Sequence, residues 1–135
     1  MIEPLVQYYP GTVVAWTFTA LLLLVQVLVA DVTGLRRKLS PGAGVEGGHD
    51  DFLWRAERAF MNTNETLGAF VLLTLAAVGV AAEPLPVNGC ALLFVTARAG
   101  HMVCYWADLR RLRSVCWIAG TLALFGLALI AFIGI

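Results

Sequence analysis

Charge is what this chain has least of. Only 13% of its 135 residues are Asp, Glu, Lys or Arg, against 60% hydrophobic, and the formal net charge is zero. A soluble domain of this length needs far less apolar material for its core, so a membrane protein is the economical reading. There is no basic soluble face, so nucleic-acid binding has no support. Cysteine is also sparse: Cys90, Cys104 and Cys116 fall in apolar stretches without paired spacing for zinc or redox chemistry, and read as small buried residues. The two histidines are far apart and no carboxylate stands at ligand spacing from them, which argues against a transition-metal cage. The glycine-rich stretch 40–48 has no following GKS or GKT and no preceding strand. It is not a phosphate cradle, and reads as a flexible link. No Ser-His-Asp signature occurs either. His49, Asp50 and Asp51 are contiguous at a helix start; they make no ligand cage, while Asp50 or Asp51 suits a helix cap.

What is present is a set of long apolar runs. Four segments, 12–33, 52–82, 87–109 and 114–133, each have the roughly 17 to 25 residues that cross a hydrocarbon core, and together they fill the chain as one membrane domain, 1–135. The first begins Met-Ile-Glu instead of a basic run and has too long an apolar core for a cleaved signal, so it is expected to stay. All nine basic residues are Arg36, Arg37, Lys38, Arg55, Arg58, Arg98, Arg110, Arg111 and Arg113. By the positive-inside rule the first and third connections are cytoplasmic and both termini lie outside. Tyr8, Tyr9 and Trp16 suit the membrane interface as anchors. Gly34 and the basic triplet after it are expected to close the first span, and Glu83 to Pro86 to form the outer turn.

The residues 51–70 stand apart. Arg55, Arg58, Asn62 and Glu65 recur at steps of three, four and three, so a helix lines them on one face, directly before the charge-free run 67–82. Ionisable groups at that depth are expensive unless they face a bundle interior, which makes them site candidates. Arg98, His101 and Tyr105 repeat the spacing on the third segment. Arg113 and Ser114 open the fourth, where free backbone N–H groups already favour an anion. Arginines, an amide, a phenol, an imidazole and one carboxylate at one level suit a ligand carrying carboxylates and an amine.

The stretches RAERAFMNTNETLGAF (55–70) and ARAGHMVCYWADLRRLRS (97–114), with four spans in matching order, resemble the MAPEG family of eicosanoid and glutathione metabolism. The resemblance implies an all-α, four-helix transmembrane bundle and a homotrimer that binds glutathione between subunits. It also implies a location in the inner membrane of a bacterium. It implies a glutathione-dependent transferase or peroxidase acting on a lipophilic electrophile drawn from membrane lipid. Arg58, Asn62, Glu65, Arg98, His101 and Tyr105 then correspond to glutathione-binding positions, and so does Arg36 or Arg37. Arg113 and Ser114 correspond, across a one-residue gap, to the catalytic pair near the thiol. Met61 stands where one branch of the family has an arginine. The alternatives are a non-catalytic subunit on the same scaffold and a small four-span exporter; the latter is disfavoured because the first span offers only Asp31, at its edge.

Overall fold

In lipid every backbone N–H and C=O must be satisfied within its own segment, so long apolar runs fold as helices. The computed structural model describes residues 2–40 and 42–135. Met1, Pro41 of the glycine-rich connection and the side chains of Ile2, Glu3 and Pro4 lie outside the described residues. The chain forms a short α1 (Ile2–Tyr8) and then four long helices: α2 (Pro10–Arg36), α3 (Phe52–Gly79), α4 (Pro84–Trp106) and α5 (Arg110–Ile133). The expected all-α, four-helix bundle is what forms, with no strand among the described residues.

Three of these helices, α2, α4 and α5, are long and apolar enough to cross a membrane. α3 has 28 residues, about 42 Å of helix, but its first half carries Arg55, Glu57, Arg58 and Glu65. α3 and α4 touch each other and each packs against both α2 and α5, which puts α2 and α5 on opposite flanks.

Several element boundaries differ from those the sequence suggests. α3 stops at Gly79 and not at 82, and α4 ends at Trp106 and not at 109. α5 begins at Arg110, so Arg113 and Ser114 do not open it and the Arg113 N–H is already bonded to Leu109 O. Pro84 and Pro86 lie inside α4 instead of forming the turn. A proline in the first turn loses only an N–H that has no helical partner there, and its fixed φ is already helical. α2 runs through Gly34 and closes within the expected basic triplet, at Lys38, whose φ is 58°. The same closure recurs after α3 at Ala81, φ 52°, and after α4 at Asp108, φ 54°. In each case the next residue's N–H reaches back over the last turn: Leu39 to Gly34, Ala82 to Ala77, Leu109 to Cys104. These are three left-handed helix ends, all made without glycine.

Lipid tails are as apolar as the side chains, so the hydrophobic effect does little to hold one membrane helix to another; close packing and hydrogen bonds must do it. Along α2 the bonds are evident. Tyr9 Oη donates to Ala82 O at 2.6 Å, Thr12 N donates to Asn88 Oδ1 at 2.9 Å, Trp16 Nε1 to Thr74 Oγ1 at 2.9 Å, and Gln26 Nε2 to Thr63 Oγ1 at 3.2 Å. Tyr9 and Trp16 therefore tie α2 to its neighbours; Tyr8 is exposed, Trp16 half-buried and Tyr9 buried. Between α3 and α4 the Phe70 and Phe94 rings stack at 4.2 Å.

The amino terminus, the 80–83 turn and the carboxyl terminus share one end, where Gly134 abuts Val80. The opposite end gathers the connections 37–51 and 107–109. Asp51 caps α3 by accepting from Leu53 N and also accepts from Arg37 Nη1 at 2.7 Å. That hydrogen bond holds the Asp51 carboxyl below the usual carboxylate range. Arg110 does the same to Asp108, which stands 3.8 Å from His49. Arg55 bridges the two connections by donating to His49 O and to Trp106 O.

Candidate functional site

α3, α4 and α5 meet in the basic half of the bundle around a cavity of about 290 Å³, lined by Asn62, His101, Tyr105, Arg113, Ser114, Trp117 and Ile118. Each helix contributes one face. On α4 the spacing of four puts His101 and Tyr105 one turn apart, their rings edge to face at 5.0 Å, both buried (2% and 8% exposed). On α5 Arg113 and Ser114 are followed one turn later by Trp117 and Ile118, so four consecutive contacts come from a single stripe.

Arg113 is half-buried, and its guanidinium stands 4.6 Å above the Tyr105 ring. A cation over an aromatic face is held without a counter-ion, and among the described residues Arg113 has no carboxylate partner. The Ser114 hydroxyl donates to Arg110 O at 3.3 Å, a weak local bond that leaves its lone pairs free. Arg98 lies behind the cavity, fully buried, and donates from Nη1 to Asn62 Oδ1 at 2.6 Å. The lining thus offers an amide, a phenol, an imidazole, a hydroxyl and a guanidinium, and no carboxylate. Such a wall fits an anion.

Of the candidates read from the sequence, Asn62, His101, Tyr105, Arg113 and Ser114 come together at the cavity, with Arg98 in contact through Asn62. The rest lie elsewhere in the single chain. Arg58 and Glu65 flank Asn62 along α3 but are exposed, Arg58 lying 5.9 Å from the Trp54 ring. Arg36 is exposed at the end of α2, and Arg37 is paired with Asp51. Trp117 and Ile118 were not singled out from the sequence; their spacing of four from Arg113 and Ser114 is the signal that finds them.

A family model matches residues 12–133, nearly the whole chain and every residue of the cavity. The chain belongs to the MAPEG family. This MAPEG protein is accordingly an integral membrane protein of the glutathione and eicosanoid metabolism family. No curated protein matches it. A second, larger cleft of about 430 Å³ lies on the other flank, between α2, α3 and the 39–45 connection; it is mainly apolar and bears Asp31 and Glu57 in place of cations.

Proposed function

We propose that the chain is a glutathione-dependent membrane enzyme, a transferase or peroxidase, acting on a lipophilic electrophile. The observation that carries this reading is Arg113: a cation with no carboxylate partner among the described residues, set over the Tyr105 ring, in a cavity whose other polar walls are neutral groups. Bound glutathione supplies a thiol that serves as nucleophile or reductant. A thiol with a pKa near about 8.5 is mostly protonated at neutral pH, and only its thiolate reacts well. Arginine does not give up its proton, so Arg113 acts as a fixed positive charge favouring the thiolate and not as a base. Each unit by which a thiol pKa falls corresponds to about 1.4 kcal/mol, within reach of one arginine in a poorly hydrated site. Ser114 adds a hydroxyl donor beside it. Tyr105 holds the guanidinium in place from below.

Carboxylate recognition falls to Asn62 and His101 in the cavity and to Arg58, and the ligand's amine to Glu65; Arg58 and Glu65 line the same face of α3 beyond the cavity. At about 290 Å³ the cavity sits at the lower edge of the range for small-molecule sites. A second subunit that brings Arg36 or Arg37 against this face, in a homotrimer, completes the site. Trp117 and Ile118, both exposed, give it an apolar lip toward the lipid. Titration calorimetry of the detergent-solubilised protein with glutathione is expected to show saturable binding; a folded protein that gives no heat of binding refutes the reading.

A further inference from the structure

Asn62 lines the cavity, whereas Arg98 is walled off from it. The Arg98 guanidinium is fully buried, 5.3 Å from the Phe94 ring, and lies against the bare backbone of Gly120. A β-carbon at position 120 would stand 2.9 Å from Nη2, so the arginine's seat requires glycine there. Among the described residues no carboxylate pairs with it. Its one hydrogen bond runs to Asn62 Oδ1, at the short distance typical of a charged donor; Nε and Nη2 have no acceptor among the described groups.

A guanidinium only donates. The Asn62 atom it meets is therefore the oxygen, and an amide orientation that elsewhere must be assigned is here dictated by charge. What remains for the cavity is the amide nitrogen with its N–H donors. We propose that Arg98 is a positioning residue that acts through Asn62, locking that amide as a donor that selects one carboxylate of glutathione. The inference rests on the glutathione reading above. An aspartate at position 62 would answer the buried cation from within the protein. Asparagine leaves the positive charge to be answered by the ligand, and a ligand lacking the carboxylate leaves a polarised N–H unpaired.

The test is calorimetry on the full-length protein in detergent with three ligands: glutathione, its glycyl ethyl ester, and cysteinylglycine, which lacks the γ-glutamyl carboxylate. Asn62→Asp keeps the side chain's size and pairs with Arg98, so the thermal midpoint is retained while the donors are lost. Glutathione binding is expected to weaken roughly ten- to a hundredfold. For one of the two analogues, native and variant affinities are expected to coincide, which identifies the carboxylate that is read. Arg98→Lys, which keeps the charge but not the fork, is expected to give the same pattern, and the double variant to be no weaker than the single ones. Native affinity in Asn62→Asp, or an equal loss for all three ligands, overturns the inference while leaving glutathione binding intact. A native protein that binds no glutathione overturns the functional reading, and the inference with it.

Discussion

Arg113 concentrates the chemistry of the site in one side chain. If it stabilises a thiolate, Arg113→Ala should lower kcat/KM for glutathione conjugation about a hundredfold, the usual cost of removing one charge-stabilising donor. The thiolate absorbance of the glutathione complex should fall in parallel, while a non-catalytic scaffold would show neither change. Most of this cavity was legible as spacing. Steps of three and four put His101 with Tyr105, and the start of a helix marked Arg113 and Ser114. Depth was not legible. Arg58, Asn62 and Glu65 share a stripe, yet only Asn62 meets the neighbouring helices, accepting from Arg98 of α4 and lining the cavity with α5 residues, and nothing in the α3 sequence announces where. Arg98 looked like a ligand residue for the same reason. Its retreat behind Asn62 depends on Gly120, 22 positions further along the chain.

At the scale of elements, the helix ends store a correctable strain. A left-handed backbone is unfavourable for residues with a β-carbon, and Ala81 adopts it on an exposed turn. Ala81→Gly should stabilise the protein by about 1 kcal/mol, read as a higher thermal unfolding midpoint. At the end of α2 the basic triplet, and not Gly34, makes the closure. The prolines misled because a helix start tolerates what a helix interior does not. The first turn of α3 makes a prediction of its own. Asp51 has its carboxyl value depressed by the Arg37 hydrogen bond, so the folded state holds the proton less readily than the unfolded chain. Its contribution is complete above the unfolded value near about pH 4 and disappears as pH falls below it toward the depressed value. Asp51→Asn, which still caps a helix, should therefore lower the midpoint slightly at pH 6 and by less as the pH falls below the unfolded carboxylate value. The effect should be small and shrink in high salt, since the pair is largely solvated.

For the whole molecule, the charge asymmetry predicts an orientation. Ser40 and Glu83 are both exposed and lie at opposite ends of the bundle. In intact cells a membrane-impermeant maleimide should label Glu83→Cys but not Ser40→Cys, and inverted vesicles should reverse the result. The native cysteines lie within α4 and α5. Four helices and their order were readable from the long apolar runs and, for α3, from polar residues at helical spacing ahead of one, because lipid imposes helix on such segments. The tight pairing of α2 with its neighbours was not, since Thr12, Thr74 and Thr63 give no sign in one dimension of which helix they will meet.

The contrast between the two flanks has a mechanical consequence. α2 is stitched to α3 and α4 by hydrogen bonds at several levels, whereas the described hydroxyl bonds of α5, from Ser114 and Thr121, stay within the helix. α5 rests on small residues: Gly120 under Arg98, Gly126 against Cys90, and Cys116 seated on Gly100 of α4. The helix that carries Arg113 is thus held by close packing on α4 and by its guanidinium over the Tyr105 ring; on the proposed reading, a lipophilic substrate would enter across the flank with the fewest polar ties.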